Sequence, residues 1–258
     1  MKVVAIIPAR MHSARLPGKP LLKIAGVPMI IRVLDRARSC PELDRVIVAT
    51  DSEEICAVVR QQSGEAWITS ADHQSGSDRV AEVAEKLDAE LIFNLQGDEP
   101  FFPRSTIRAL VEHGSNFPGL TVVTPIVPLT REGDIVNSNI TKVVSSQSGQ
   151  ALYFSRYPIP YARGRPLQIN ALGSDRVLHG YFKHVGMYLY RRDFLLQFVR
   201  LKPTPLELAE SLEQLRILEN GYPVYTVRVA EDSLSVDTPD DLAAAERIVS
   251  KHEAGQQL

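Results

Sequence analysis

The chain has 258 residues, with 29 Lys and Arg against 31 Asp and Glu, and 44% of its residues are hydrophobic. Disordered proteins combine low hydrophobicity with a high net charge, so this composition indicates a folded chain. A net charge of −2 argues against binding to nucleic acid or to a membrane surface through a basic face. The sequence has no apolar run of roughly 18 residues, as a membrane span requires. Its first apolar run stops at Pro8, unlike a signal peptide, so a cytoplasmic protein is expected.

The first half of the sequence alternates short apolar runs with amphipathic segments. The pattern predicts strands at residues 3–7, 45–50, 67–68 and 91–95, and helices at 28–38, 51–62, 77–87 and 103–113. Asp51 and Glu54 have the spacing of a capping box at the start of the second helix. Successive strand–helix units predict a parallel sheet with helices on both faces. Ligands bind such sheets at the C-terminal ends of the strands.

The second half has turn residues between shorter apolar runs. The pattern predicts strands at residues 121–127, 141–145, 151–155, 181–190 and 224–229, and a last helix at 239–251. One continuous helix is predicted over residues 205–218, because Leu208, Leu212 and Leu215 lie on one face. The sequence has no long linker and no repeat. We therefore predict a single α/β domain, residues 1–258, in which a mostly parallel sheet carries an antiparallel appendage.

The loop after the first predicted strand carries several cations: Arg10, Arg15, Lys19 and Lys23. Gly18 and small neighbours allow backbone N–H groups to approach a ligand. Fixed cations and backbone donors together suit a triphosphate. A Walker A loop is excluded, because Ser13 and Pro20 stand where Gly and Ser or Thr are required, and no G-x-G-x-x-G follows the strand. A solvated basic loop is the alternative interpretation.

Two aspartates are candidate metal ligands. Asp98 follows the predicted strand at 91–95, and Asp237 precedes Thr238 and Pro239. Magnesium takes one or two carboxylates and completes its shell with water and phosphate oxygens. The alternatives are a Gly-Asp turn at Asp98 and a helix start at Asp237. If both hold one metal, removing either charge should leave the metal-free protein as stable or slightly more stable, since like charges repel.

Together these motifs resemble nucleotide-activating sugar transferases and, more narrowly, the 3-deoxy-manno-octulosonate (Kdo) cytidylyltransferase family. The matching segments are R-x-x-S-x-R-L-P-G-K-P at 10–20, ADHQSGSDR at 71–79, QGDEP at 96–100, ALYFSR at 151–156 and VDTP at 236–239. They occur in the family's order and extend over nearly the whole chain, from Val3 to about Ile248.

The resemblance implies a Rossmann-like fold, a homodimer, and use of CTP with Mg²⁺. The implied reaction couples CMP to the anomeric hydroxyl of Kdo and releases pyrophosphate, in the supply of lipopolysaccharide precursors. The resemblance also divides the single predicted domain into three parts. These are a nucleotide-binding half at 1–120, a sugar-binding and dimerisation region at 121–222, and a return to the main sheet at 223–258.

The resemblance implies roles for individual residues. Those implied to bind the nucleotide are Arg10, Ser13, Arg15, Lys19, Gln74, Ser75, Gly76 and Arg79. Those implied to bind the sugar are Gln96, Arg156, His184, Tyr188 and Glu210. Asp98 and Asp237 would hold Mg²⁺ and, with Lys19, form the catalytic set. The sugar set supplies donors and acceptors for a carboxylate and many hydroxyls. His184 and Tyr188 would share one face of a single strand.

Three alternatives remain open at the level of sequence. A synthetase of CMP-8-amino-Kdo or of CMP-sialic acid would use the same chemistry on another acidic sugar. A non-catalytic nucleotide- or sugar-binding regulator could have the same fold, but it would not need Lys19, Asp98 and Asp237 together. A glycosyltransferase would normally carry an Asp-x-Asp motif, and none follows the predicted strands.

Overall fold

This computed structural model describes residues 1–12, 15–117, 119–163 and 180–253, with side chains up to residue 250. The strands are β1 (Val3–Ala9), β2 (Lys23–Ile24), β3 (Val27–Pro28), β4 (Arg45–Thr50), β5 (Glu65–Ile68), β6 (Leu91–Asn94), β7 (Val122–Pro128), β8 (Lys142–Ser145), β9 (Ala151–Ser155), β10 (Phe182–His184), β11 (Tyr188–Arg191) and β12 (Val224–Arg228). The helices are α1 (Met29–Arg38), α2 (Glu53–Gln61), α3 (Gly76–Glu85), α4 (Arg104–Asn116), α5 (Glu132–Val136), α6 (Arg192–Phe198), α7 (Pro205–Glu210), α8 (Gln214–Glu219) and α9 (Pro239–Glu253). Among the described residues, no helix has the length and apolar character that a membrane crossing requires.

The chain divides into two compact units. The first consists of Met1–Arg108 and Ser233–Leu258, and the second of Ala109–Asp232. The first boundary falls inside α4, and the second lies shortly before α9. The division into functional parts at residues 120 and 222 stays a prediction.

The first unit contains a parallel sheet in the order β5-β4-β1-β6. Residues Val3 to Ile7 of β1 are almost without exposed surface although successive side chains point to opposite faces. Both faces of the sheet are therefore covered, as a parallel sheet flanked by helices requires. In α1 the apolar stripe that includes Ile30 and Val33 is fully buried. The predicted fold class, an α/β protein with a mostly parallel sheet and helices on both faces, is confirmed.

The second unit contains a sheet built around β7, which pairs antiparallel with β10 and β11 and parallel with β12. The prediction of one strand over 181–190 is wrong, because β10 ends at His184 and β11 begins at Tyr188. Thr124 of β7 lies at the interruption, where its Oγ1 is 2.7 Å from the Met187 carbonyl oxygen. A side chain from the neighbouring strand thus takes part in the hydrogen bonding that a continuous ladder would have provided.

The prediction of one helix over 205–218 is also wrong. α7 ends at Glu210, and Ser211 adopts a left-handed conformation with φ of 52°. The break lets the guanidinium of Arg216 in α8 reach the carboxylate of Glu207 in α7, with an Nε–Oε2 distance of 2.8 Å. Nine residues along a continuous helix would separate these two positions by roughly 13 Å. The leucine periodicity that predicted one helix was misleading, because Leu208 of α7 is 68% exposed and Glu207 is the buried residue of that helix.

The predicted capping box at Asp51 is not observed, and the N-cap lies one residue later. Ser52 is the N-cap of α2, and its side chain accepts a hydrogen bond from the Ile55 amide at 3.3 Å. Asp51 instead forms an ion pair with Arg79 of α3 at 3.0 Å. Ser52 is followed three residues later by Ile55 rather than by Glu or Gln, so α2 has a side-chain N-cap but no reciprocal capping box.

Candidate active site

The loop that carries Asp98 passes very close to the end of β1. The parallel pairing of β1 and β6 continues past Asn94, since the Leu95 amide donates to the Ile6 carbonyl at 3.1 Å. A Cβ atom at Gly97 would lie 2.9 Å from the Pro8 carbonyl oxygen, so only glycine fits at this position. Gly97 therefore allows Asp98 to lie beside the loop that follows β1.

Lys19 reaches the same place from that loop. Gly18 has φ of 67°, and Lys19 begins a 3₁₀ helix directly after it. The Gly18 amide donates to the Met11 carbonyl at 3.1 Å, which closes the loop on itself. The Lys19 Nζ atom is 2.5 Å from Asp98 Oδ2 and 2.9 Å from Asp237 Oδ1. One ammonium thus joins two carboxylates that are 79 and 218 residues from it in the sequence.

Asp237 is positioned by the start of α9 without being its cap. Thr238 and Asp241 cap this helix: Thr238 Oγ1 accepts from the Asp241 amide at 3.2 Å, and Asp241 Oδ2 accepts from the Thr238 amide at 2.9 Å. The Val236 amide donates to the Asp98 carbonyl at 2.9 Å, which ties the two aspartate segments together. The carboxylate of Asp237 is left to pair with Lys19 and, at 3.1 Å, with Arg15. The alternative interpretation, in which Asp237 only starts a helix, is therefore wrong for Asp237, because Thr238 is the residue that caps α9.

The charges of this cluster stabilise one another. Burial alone would raise the pKa of Asp237, but its hydrogen bond and charge interaction with Lys19, assisted by Arg15, hold that pKa below its ordinary value. Burial alone would lower the pKa of Lys19, but Asp98 and Asp237 raise it above its ordinary value. Lys19 is therefore protonated and Asp237 ionised at neutral pH.

A cavity of about 370 Å³ in the first unit opens at this cluster. The predicted site residues that line it are Arg10, Arg15, Lys19, Ser75, Gly76, Arg79, Gln96, Asp98 and Asp237. Ser13 lies outside the described residues. Gln74 is exposed, and its side chain donates to the Asp72 carbonyl at 2.8 Å. The structure therefore gathers most of the predicted nucleotide and metal residues around one cavity.

The N-terminus of α3 forms one wall of the cavity. Ser75 and Asp78 form a capping box, with the Asp78 amide donating to Ser75 Oγ at 3.1 Å. Backbone N–H groups and the helix dipole at such a terminus favour an anion. Arg79 on the same helix is almost buried, and its guanidinium is held by Thr69 at 2.5 Å and Asp51 at 3.0 Å. Arg79 thus supplies a fixed positive charge to the wall.

In the second unit, Arg156 and Glu210 are in contact. Glu210 accepts from the Ser155 hydroxyl at 2.6 Å and from the Arg156 amide at 2.8 Å. The Arg156 Nε atom donates to the Glu210 carbonyl at 2.8 Å, so this guanidinium caps the C-terminal end of α7. The buried Lys142 ammonium donates to the Arg156 carbonyl at 2.6 Å. These two predicted sugar residues therefore also hold the end of β9 against α7.

His184 and Tyr188 are neighbours across the strand interruption, with ring centroids 5.3 Å apart. The predicted single strand with both side chains on one face is not observed; the interruption between β10 and β11 brings the two rings together instead. The His184 Nε2 atom lies 2.8 Å from Thr124 Oγ1. Burial, with a smaller contribution from Lys183, lowers the pKa of His184 to about 3. The ring is therefore neutral at physiological pH and can accept one hydrogen bond and donate another.

Comparison with known proteins agrees with this geometry. A family model described as cytidylyltransferase matches residues 4–236. The 3-deoxy-manno-octulosonate cytidylyltransferase of Syntrophotalea carbinolica is 46% identical over 246 residues, which are 95% of this chain and 98% of that protein. This chain belongs to the 3-deoxy-manno-octulosonate cytidylyltransferase family. The family's enzyme from Trichlorobacter lovleyi is 47% identical over 95% of this chain and 97% of its own length.

A solved structure of the family has the same fold. It is CMP:2-keto-3-deoxy-manno-octonic acid synthetase complexed with CTP, with a TM-score of 0.89 and 39% identity. The alignment covers 98% of this chain and 100% of that one. As a member of the cytidylyltransferase family, this chain is a nucleotidyltransferase.

Two histidines that line the cavity, His12 and His73, were not assigned to the site from the sequence. His73 lies within the family motif at 71–79, and its Nε2 atom is 2.7 Å from Glu82 Oε2. Burial opposes the ionisation of Glu82, but hydrogen bonds from the Ser70 amide and His73, with Lys86, lower its pKa to about 2. Glu82 is therefore ionised, and His73 Nε2 is its donor. The family motif could have pointed to His73 as a site residue. Its contact with Glu82 of α3 could be recognised only in the folded structure.

Proposed function

We propose that this protein transfers CMP from CTP to Kdo and releases pyrophosphate. The observation that carries the proposal is the convergence of Lys19, Asp98 and Asp237 at one cavity beside the N-terminus of α3. A cavity with fixed cations, a helix N-terminus and a carboxylate pair has the donors that a metal-bound triphosphate needs. The curated relatives carry this activity in their names over nearly the whole length of the chain.

In the proposed reaction the C2 hydroxyl of the sugar attacks the α-phosphorus of CTP. The new phosphorus–oxygen bond forms while the bond to the bridging oxygen of pyrophosphate breaks. Arg10, Arg15 and Lys19 hold the triphosphate and neutralise the charge that accumulates on the departing pyrophosphate. Catalysis in this scheme consists mainly of positioning and charge stabilisation, and no side chain is needed as a covalent nucleophile.

The carboxylate pair fits Mg²⁺. Asp98 and Asp237 already converge on one cation, the Lys19 ammonium, and two carboxylates plus phosphate and water oxygens are an ordinary magnesium shell. When bound there, the metal would neutralise phosphate charge and make the sugar hydroxyl more acidic. Asp98 and Asp237 would hold it, and Arg15 would keep the Asp237 carboxylate oriented.

The residues proposed to contact the sugar are Gln96, Arg156, His184, Tyr188 and Glu210. Their amide, guanidinium, imidazole, phenol and carboxylate groups offer both donors and acceptors to an acid with several hydroxyls. The neutral state of His184 supports this assignment, because a neutral imidazole can interact with a hydroxyl in either direction.

We further propose that the protein acts as a cytoplasmic homodimer that supplies lipopolysaccharide synthesis. Large apolar side chains of the second unit support a self-association surface: Leu152, Tyr157, Tyr161 and Leu208 are 62%, 77%, 88% and 68% exposed. Contiguous exposed apolar patches mark interaction sites, and these four side chains are the contacts that we propose for such a patch.

Pyrophosphate release, measured with each of the four nucleoside triphosphates against Kdo, 8-amino-Kdo and sialic acid, tests the proposal. Release is expected with CTP and Kdo, because a site that pairs with the cytosine amine leaves buried groups unpaired with uracil. A preference for another acidic sugar would overturn the assignment of Kdo as the substrate but would leave cytidylyl transfer as the reaction. Tight CTP binding without release for any sugar would identify a non-catalytic binder.

A further inference from the structure

The Lys19 ammonium lies where a cation bound by both aspartates would have to lie. Its Nζ atom is 2.5 Å from Asp98 Oδ2 and 2.9 Å from Asp237 Oδ1. The Lys19 side chain is only 14% exposed, against 23% for Asp98 and 35% for Asp237, so the ion pair is shielded on most sides. The position between the two carboxylates is therefore already occupied by a cation from the same chain.

An ammonium and a magnesium ion cannot occupy this position together. Magnesium binds carboxylate oxygens at about 2.0–2.1 Å and requires near-octahedral surroundings. A retained ammonium would occupy the same space and the same carboxylate oxygens, and it would place a second cation against a doubly charged one. Binding of the metal by both aspartates therefore requires that Lys19 leave.

Only the side chain of Lys19 is free to move. Its backbone is fixed by the left-handed Gly18, by the hydrogen bond from the Lys19 amide to the Leu16 carbonyl at 3.2 Å, and by the buried ring of Pro20. Leu16 itself belongs to the apolar cluster formed with Val236 and helix α9. The four-carbon stem of lysine can rotate without disturbing this framework. Once the ammonium rotates away from the carboxylates, it needs another anionic partner. An anion bound in the cavity that Lys19 lines would be such a partner.

We infer that Lys19 is an internal competitor of the metal, which vacates the carboxylate pair only when nucleotide phosphates give its ammonium another partner. The inference rests on the proposed function, because it takes the carboxylate pair as the magnesium site. Metal and CTP then bind cooperatively. The CTP phosphates draw the Lys19 ammonium away from the carboxylates, and the metal takes its place there, so each ligand raises the affinity for the other. Without nucleotide the protein binds the metal weakly, because every bound ion must first break two short ion pairs.

Binding of Mn²⁺ measured by electron paramagnetic resonance tests this inference without turnover. In the absence of nucleotide, Lys19→Met should bind Mn²⁺ at least 10-fold more tightly than the unmodified protein. Arg15→Met is the matched control, because Arg15 pairs with Asp237 but is 59% exposed and does not lie between the carboxylates. It removes the same charge without vacating the space, so its affinity should rise less than about 3-fold.

The second arm repeats the titration with a non-hydrolysable CTP analogue. The analogue should tighten Mn²⁺ binding at least 10-fold in the unmodified protein, and by a clearly smaller factor in Lys19→Met, where the competitor is already gone. If Lys19→Met does not fold by circular dichroism, Lys19→Gln, which also lacks the charge, replaces it.

The outcomes separate this inference from the proposed function. Equal Mn²⁺ affinity of the unmodified protein and Lys19→Met without nucleotide would overturn the competition while leaving the metal site intact. Absence of Mn²⁺ binding in all variants, even with the analogue, would overturn both the inference and the proposed metal site. The pyrophosphate assay remains an independent measure of the proposed reaction in either case.

Discussion

The two aspartates beside Lys19 are held as ion pairs in the metal-free protein. From the sequence alone, removal of either carboxylate was expected to relieve repulsion between like charges. The pairing with Lys19, and of Asp237 with Arg15, reverses that expectation. Removal of either carboxylate would take from the partially buried Lys19 ammonium one of its two charged partners. The residue-scale consequence is that the same substitutions affect both activity and stability.

Asp98→Asn and Asp237→Asn should each lower kcat at least 100-fold, and the double variant should be little worse, because groups that act as a unit are not additive. Each should also lower the metal-free unfolding free energy by about 2 kcal/mol, as for a lost hydrogen bond to a charged group. Steady-state kinetics and urea unfolding measure the two effects. Thr238→Ala is the control: it should cost about 1 kcal/mol through the α9 cap and largely retain kcat. Fully active Asp237→Asn would contradict the assignment.

His184 should make stability depend on pH on the acidic side. Its pKa is lowered to about 3 by burial, while an unfolded histidine titrates near 6.5. Between these values the unfolded chain binds a proton that the folded protein does not, so stability falls as the pH falls below about 6.5. The contribution is about 1.4 kcal/mol per pH unit. Urea unfolding between pH 4 and 6.5 should show a shallower slope for His184→Gln, and identical slopes would refute the prediction.

At the scale of elements, Lys142 holds a loop and two strands together. This residue opens β8 and is fully buried. Its ammonium donates to the carbonyl oxygens of Asn137 at 2.8 Å, Ile140 at 2.5 Å and Arg156 at 2.6 Å. Burial, together with the charge of Arg156, lowers the pKa of Lys142 to about 8 despite the opposing charge of Glu210. All three ammonium hydrogens are thus used to join the loop before β8 to the end of β9.

Lys142→Met should lower the unfolding free energy by about 3 kcal/mol, because three carbonyl oxygens lose a charged donor in a buried position. It should also raise the KM for Kdo more than the KM for CTP, since the end of β9 carries Arg156. Lys183→Met on neighbouring β10 is the matched control. Lys183 pairs with the half-exposed Asp232, and the loss should stay below about 1 kcal/mol. An equal loss of unfolding free energy in the two variants would argue against a specific role of the Lys142 hydrogen bonds.

At the scale of the whole molecule, the first unit is assembled from both ends of the chain. Val236, Ala245 and Val249 from the C-terminal segment share one buried apolar cluster with Leu16 and Met29 from the N-terminal segment. This packing is what brings Asp237 to Lys19. The second unit is one uninterrupted stretch and carries the exposed apolar side chains assigned to self-association.

Charged substitutions on that stretch should dissociate the proposed homodimer. Leu208→Glu and Leu152→Glu place a carboxylate on positions that are 68% and 62% exposed, where burial against a second copy would be costly. Sedimentation velocity should show a shift towards the monomer for both. Ile68→Glu, at a 43% exposed position of the first unit, should leave the dimer unchanged. A dimer that survives both substitutions would place the interface elsewhere.

The sequence by itself determined the parallel α/β class, the cationic loop after β1 and the two candidate aspartates, Asp98 and Asp237, because apolar periodicity and short motifs are local properties. It also predicted most residues that line the cavity. Tertiary structure alone decided the helix break at Ser211 and the strand break between His184 and Tyr188. At these breaks the chain contacts side chains of neighbouring elements, Arg216 of α8 and Thr124 of β7. It also decided that Lys19 joins Asp98 to Asp237. Contacts over 79 and 218 residues follow from strand order and from packing of α9, which no local pattern encodes.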